Sequence, residues 1–215
     1  MKISILGTGR MGKGFVHMLS SQMPLLWGSR TPAKAEQITA ENGYANVTAV
    51  TYEEAIASSD VILHTLWFRD MLPWAAANQE RLASKIIVDP SNPFTVDFSG
   101  FELDWGQSAA EELQRILPDS KVVGAFKNTF FKVLEQPVHH GLMSDVYVTS
   151  DDEDAKRTVM NVLERLPFRV MDGGALANNR TIERMTLFER ELALRGGHYP
   201  YVSFRLFGDE GTERD

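Results

Sequence analysis

Cysteine is absent from the chain, which excludes disulfides, thiolate catalysis and cysteine-ligated zinc and fits a reducing compartment. Positive charge is in deficit: 22 Lys and Arg against 29 Asp and Glu give a net charge of −7. No general attraction to nucleic acid or anionic membrane follows, so an anionic ligand has to be met by local cations or backbone N–H groups. Long apolar runs are missing as well, and stretches such as "VILHTLWF" (Val61–Phe68) fall far short of a bilayer span. The opening "MKISILGTG" reads as a strand from residue 2 with no basic-then-apolar leader, so a cytoplasmic protein is expected. There is no internal repeat, low-complexity tract or Pro/Gly/Ser-rich linker.

What is present suffices for a core, since 43% of the 215 residues are hydrophobic. One domain over 1–215 is expected, with sheet and helices in 1–175 and a C-terminal helix and tail in 176–215. Strands are read at Ile3–Leu6, Leu25–Trp27, Val47–Val50, Val61–Leu66, Lys85–Asp89, Lys121–Phe126, Asp145–Ser150 and Phe168–Asp172. Helices are read at Met11–Ser20, Pro32–Ala40, Ala75–Leu82, Ala109–Leu117, Asp152–Leu166 and Ala177–Arg195, and Thr51 with Glu54 stands at capping-box spacing. Near-continuous apolar strands separated by helices predict an α/β fold: a doubly wound, mostly parallel Rossmann-type sheet covered on both faces, with a short helical C-terminal extension.

The segment "ILGTGRMGKG" holds Gly7-x-Gly9-x-x-Gly12 between an apolar strand and an amphipathic helix. That context turns a weak glycine pattern into a dinucleotide fingerprint. Gly7 permits the tight turn, Gly9 lets a pyrophosphate approach, and Gly12 lets helix and strand pack closely. Thr8, Arg10 and Met11 complete the loop, whose helix N-terminus offers free N–H groups to an anion.

The second strand leads into "LLWGSRTP" (Leu25–Pro32). An acid at this position would accept the ribose hydroxyls of NAD; here stand Ser29 and Arg30. Ser29 can hydrogen-bond a 2′-phosphate, Arg30 can pair with it in bidentate fashion, and Lys34 lies one helical turn on. The pattern predicts NADP(H) over NAD(H), with Arg30 as an ordinary solvated arginine as the alternative.

The ordered segments "ISILGTGRMG", "WGSR", "VILHTLWF", "IVDPSNP", "KVVGAF" and "DGGALANNRTIE" together resemble the NADPH-dependent deazaflavin (coenzyme F420) reductases. They are also similar to the N-terminal oxidoreductase domain of the six-transmembrane metalloreductases. The resemblance spans nearly the whole chain. It implies hydride transfer between NADP(H) and a flat acceptor, coenzyme F420 or another flavin, by positioning and without a catalytic triad. The implied pocket lies at the C-terminal ends of the strands. Its walls are Thr65, Leu66 and Trp67, then Asn92 and Pro93, then Ala125 and Phe126 with the candidate pocket residues Lys127, Asn128 and Thr129. The chain departs from the family at "AFKNTFFKVL". There Lys127 is either a contact for the substrate or a solvent-facing lysine, and Phe130 and Phe131 read as core or pocket wall.

No metal site is expected. His139 and His140 are adjacent on a Pro/Gly-flanked loop with no ligand cluster beside them, and "SDDEDAK" lacks EF-hand spacing. His64 reads as a buried strand histidine, His17 and His198 carry no signal, and Trp67, Trp74 and Trp105 either shape a cleft or fill the core. Apolar residues on the last helix and in "YVSFRLF" suggest a homodimer. The alternatives to a deazaflavin or flavin reductase are a reductase of a small C=N or C=O substrate and a non-catalytic NADP-binding sensor.

Overall fold

The computed structural model of the chain describes residues 1–208; residues 209–215, the end of the expected tail, lie outside the described residues. The first half alternates β1 (Ile3–Leu6), α1 (Arg10–Leu19), β2 (Leu25–Gly28), α2 (Pro32–Asn42), β3 (Val47–Val50), α3 (Tyr52–Ser58) and β4 (Val61–His64). Then come α4 (Phe68–Ala77), α5 (Gln79–Leu82), β5 (Ile86–Asp89), α6 (Ala109–Ile116), β6 (Lys121–Gly124) and α7 (Phe131–Glu135). A short hairpin of β7 (Val138–His139) and β8 (Leu142–Met143) precedes β9 (Asp145–Val148), α8 (Glu153–Leu163), β10 (Arg169–Asp172) and α9 (Asn179–Gly196).

The main sheet has six strands in the order β3-β2-β1-β4-β5-β6, every neighbouring pair parallel. This is the expected doubly wound α/β fold. Side chains alternate between two cores. Ile5, Leu63, Val88 and Val123 pack with Phe15, Leu19 and Val159 on one face; Leu6, Ile62, Ile87 and Val122 pack with Ile56, Met71 and Leu113 on the other. Each such side chain fully buried stabilises the fold by about 1.5–3 kcal/mol. The register aligns Leu6 with Gly28 and His64, and Asp89 with Gly124, so the strands end together along one edge.

Several elements differ from the sequence reading, each for a physical reason. The fourth strand stops at His64 and the following helix starts at Phe68 rather than Ala75, because Pro73 is accommodated inside α4. The missing N–H leaves only the carbonyl of the exposed Arg69 without its helical donor. The sixth strand stops at Gly124, where Phe126 turns the chain with a φ of +59°. The strands expected at 145–150 and 168–172 do not extend the main sheet. They form their own parallel pair, joined to it by an antiparallel bridge between Gly124 and Thr149. His139 and His140 belong to the β7–β8 hairpin, whose tip has positive φ at both His140 and Gly141.

The chain beyond α9 is strapped to β8 and β9. Asp145 donates its N–H to Phe204 O and accepts from Leu206 N, Arg205 donates to Met143 O, and Tyr201 stacks on His139 with ring centroids 4.3 Å apart. Beneath this strap Glu189 of α9 is buried, its oxygens without a well-formed hydrogen bond. Burial pushes its carboxyl up to about 8, and the nearby Phe204 N–H offsets only part of that. The native state therefore holds this proton more tightly than the unfolded chain does. Its contribution to stability is complete below pH 4.5 and is lost as pH rises toward about 8. Glu189→Gln should escape that loss: thermal melts across this window should show the variant gaining on the parent as pH rises, and a pH-independent difference would contradict the assignment.

Candidate functional site

The site lies along the edge where the parallel strands end. Trp27 Nε1 donates to Gly7 O at 2.8 Å, and Gly7 N donates to Gly28 O at 3.0 Å, so β2 fixes the glycine loop from behind. Thr65, just after β4, holds it from the other side by donating through Oγ1 to Leu6 O at 2.7 Å. Gly7 has φ +108°, and a Cβ on Gly12 would stand 2.0 Å from Gly7 O, so neither position admits a side chain. Gly9 is different: nothing lies within 4 Å of where its Cβ would be, and the backbone faces open space.

Open space there meets an unsatisfied helix end. α3, α6 and α8 are capped by Thr51, Ser108 and Asp152 and carry acids in their first turns, the first through the expected Thr51–Glu54 capping box. α1 has neither a side-chain cap nor an acid. Its first N–H groups and partial positive charge face outward, which suits a pyrophosphate. Arg10 is exposed at this end, its guanidinium 4.6 Å over the Phe131 ring. Met11 is half-buried against the core, and Thr8 is half-buried in the loop.

At the next strand end the cations stand free. Arg30 is exposed, makes no hydrogen bond or ion pair with any described residue, and acts on Tyr52: burial pushes that phenol up and the Arg30 charge draws it partly back. Lys34 is exposed on the first turn of α2. Ser29 is placed otherwise than expected. It is buried, and its hydroxyl donates to Thr31 O at 2.9 Å and accepts from Thr31 N at 3.1 Å. Strand geometry turns it inward, so it shapes the bend that presents Arg30.

On the far side of β1 both expectations for Lys127 are overturned. It faces neither solvent nor an open pocket: the residue is 2% exposed, and Nζ lies 2.8 Å from Asp89 Oδ2, 2.8 Å from Glu183 Oε1 and 2.6 Å from Ser91 O. Asn128 and Thr129 are also buried, Asn128 donating to Asp145 O at 2.8 Å, and Ala125 is a core side chain. The positive φ of Phe126 turns this segment under the sheet edge. Burial pushes the Lys127 ammonium down, but Asp89 and Glu183 more than reverse this and hold it charged. Burial likewise pushes Asp89 up, and Lys127 with His64, whose Nε2 lies 3.2 Å from Oδ1, holds it well below the usual range. Glu183 is pushed up by burial, offset in part by Lys127 and by the Ala109 N–H it accepts at the start of α6. His64, Asp89 and Glu183 were not singled out as partners in the sequence. Asp89 at the end of an apolar strand was the available signal, since a buried acid needs a partner.

The network fixes the cleft above it. Lys127 donates to Ser91 O, and Asn92 Nδ2 returns a bond to Lys127 O at 2.8 Å, clasping the loops after β5 and β6 together. Asn92 Oδ1 is left buried without a partner, an acceptor suited to a carboxamide N–H. Trp67, 54% exposed, Phe94 and Phe98 wall the cleft beside it, while Pro93 is buried and Leu66 packs into the second core. Trp74 is half-buried, and Trp105 stands 83% exposed. Among the described residues no cluster of His, Asp and Glu could hold a metal, and no helix is long and apolar enough to cross a membrane.

A glycine cradle at an uncapped helix, free cations at the second strand end and a clasped aromatic cleft define the class: a dinucleotide-binding α/β oxidoreductase. The chain belongs to the family of coenzyme F420-dependent NADP oxidoreductases. That family's model matches residues 2–93, and the F420-dependent NADP reductase of Methanocaldococcus jannaschii is 31% identical over 202 residues, covering 86% of this chain and 89% of that protein. A crystal structure from an Arthrobacter species, assigned as a candidate F420-dependent NADP reductase, superposes with a TM-score of 0.81 at 25% identity, covering 92% of this chain and 95% of that one. Metalloreductase STEAP3 of Rattus norvegicus is 28% identical over 187 residues, 86% of this chain and 36% of that protein. The chain is an NADP-dependent oxidoreductase.

Lys127→Met should leave two buried carboxylates facing each other without their cation and cost about 3–5 kcal/mol. Urea unfolding measures it. Recovery of much of the loss when Asp89→Asn and Glu183→Gln are added is expected; a single substitution costing under about 1 kcal/mol would show that the network is not structural.

Proposed function

We propose that the chain transfers a hydride between NADPH and a deazaflavin acceptor, coenzyme F420, for which its relatives are named. The observation that carries the cofactor half is the uncapped, acid-free N-terminus of α1 beside Gly9, with unpaired Arg30 at the adjacent strand end. In this reading the α1 amides and Arg10 hold the pyrophosphate, and Arg30 and Lys34 hold the 2′-phosphate. Thr65, Leu66 and Trp67 with Asn92 and Pro93 line the nicotinamide end. Asn92 Oδ1 accepts from the carboxamide and so fixes the ring face, and Trp67 limits water above it. NADPH supplies the electron pair and hydrogen from C4, and the acceptor takes them. The chain's part is orientation, which contributes most when two rings lie within contact distance. A cytoplasmic homodimer belongs to the same reading, supported by the exposed Phe188, Leu192 and Leu194 of α9.

Arg30→Ala should weaken NADPH binding by about tenfold to a hundredfold, the worth of a charge-assisted pair, and leave NADH binding unchanged. Fluorescence titration of both cofactors measures it; tighter NADH than NADPH binding by the parent protein would reject the 2′-phosphate assignment. Stopped-flow oxidation of NADPH with F420, FMN, ferric chelates and a cyclic imine tests the acceptor. F420 should react fastest; turnover of the imine alone would shift the assignment to C=N reduction, and tight NADPH binding with no turnover would favour a sensor.

A further inference from the structure

The loop between β5 and α6 holds a residue in a conformation its own side chain disfavours. Phe98 has φ +58°, a left-handed geometry that is unfavourable for a bulky residue and persists only where its surroundings enforce it. The strained backbone presents the ring. Phe98 meets Trp67 edge-on with centroids 5.9 Å apart, leans on Phe94 at 6.0 Å, and has the Arg190 guanidinium 5.0 Å over it.

Arg190 reaches this point from α9 and also lies 5.5 Å over the Tyr199 ring. It forms no hydrogen bond or ion pair with any described residue, and its Nε is buried without an acceptor. None of the acids around it pairs with it, and exposed Glu102 lines the adjoining cleft. Glu191 pairs with Arg195 at 2.7 Å, Glu189 sits beneath the C-terminal strap beside Phe204, and Asp104 is exposed on the rim. Arg184 spends its guanidinium on the carbonyls of Arg180, Leu103, Asp104 and Gln107. A cation stacked on rings with unused donors is a preset anion receptor, because an unmet buried donor is costly and a charge-assisted bond to it is strong.

Its position gives the anion a chemical class. Phe98 borders both the cleft of Trp67 and Asn92 and the open groove beyond, about 770 Å³ in volume and walled by Phe101, Trp105 and Arg184. A flat group stacked in the cleft would carry its substituent past Phe98 to Arg190. We infer that Arg190 is a specificity-determining residue for the electron acceptor, selecting a planar molecule that bears an anionic substituent. The ring rests on Trp67 and Phe98, and the phosphate or carboxylate pairs with the guanidinium. The inference rests on the reading of the cleft as the site of NADPH-dependent hydride transfer.

FMN and riboflavin share one ring system and differ by a phosphate, so they isolate the effect. Each is titrated by flavin fluorescence into full-length protein saturated with NADP⁺, as parent, Arg190→Gln and Arg190→Lys, with NADP⁺ affinity and circular dichroism measured on the same samples. The parent should bind FMN about tenfold or more tightly than riboflavin, the factor for one charge-assisted bond. Arg190→Gln should erase that preference without changing riboflavin affinity, Arg190→Lys should keep part of it, and added salt should weaken FMN alone. Equal losses for both flavins in Arg190→Gln, no FMN preference in the parent, or binding of neither flavin would each overturn the role of Arg190. Normal NADP⁺ affinity in those cases leaves the cofactor reading standing, whereas failure of the parent to bind NADP⁺ would remove the reading beneath it.

Discussion

The Lys127 ammonium is the point on which the site's geometry depends. It is enclosed among Asp89, Glu183 and Ser91 O, which joins the end of β5, the loop after β6 and the middle of α9 at one atom. A buried lysine is expensive on its own and becomes tolerable only when every donor is met and the charge is balanced. Here the balance includes the start of α6, whose Ala109 N–H draws on the second carboxylate. The Lys127 carbonyl accepts from Asn92 and from Thr186. Two loops that would otherwise be free to drift are thereby fixed to each other and to the C-terminal helix. Hydride transfer is sensitive to sub-ångström placement of two rings, and this arrangement supplies rigidity below the cleft without placing a titratable group inside it.

Unpaired cations gather at the edge. Several surface cations away from it are neutralised locally: Arg115 by Glu112, Arg180 by Glu111, Arg195 by Glu191, Lys132 by Glu135. Arg10, Arg30 and Lys34 are not, and they gather around the uncapped, acid-free N-termini of α1 and α2. In a chain of net charge −7 such a local excess of positive potential attracts an anionic ligand to one place and repels it elsewhere.

Local features were legible in the sequence and distant ones were not. The glycine loop, the Thr51–Glu54 cap and Arg30 each announce themselves within a few residues, because the physics that requires them acts within a turn or a strand end. The face to which Ser29 turns depends on strand register, which a single sequence leaves open, and here its hydroxyl closes onto Thr31. Lys127 was ambiguous because its partners lie 38 residues upstream, at Asp89, and far downstream, at Glu183; nothing nearby marks it as buried. The helix read from Ala75 begins at Phe68, with Pro73 in its interior, since the cost of the missing N–H falls on a carbonyl at the surface. The turn residues His140 and Gly141 resembled a loop and close a hairpin instead, a case where two positive φ values decide the outcome.

These differences share a direction. Residues that looked exposed and reactive, Lys127 above all, are committed to holding the sheet edge together, whereas groups that looked structural carry the open surfaces. The cleft is walled by carbon rings, Trp67, Phe94 and Phe98, with an orphaned acceptor at Asn92 Oδ1 and with Arg69 and Glu102 also lining it. Such a surface recognises a flat partner by stacking and one face of a ring by a single hydrogen bond. A reaction in which a carbonyl or imine gains charge would need a donor aimed at that atom, and Lys127, the residue the sequence offered for it, is held beneath the floor by two carboxylates. A hydride passing between two rings needs no such donor, and that is the chemistry a rigid, aromatic-walled cleft favours.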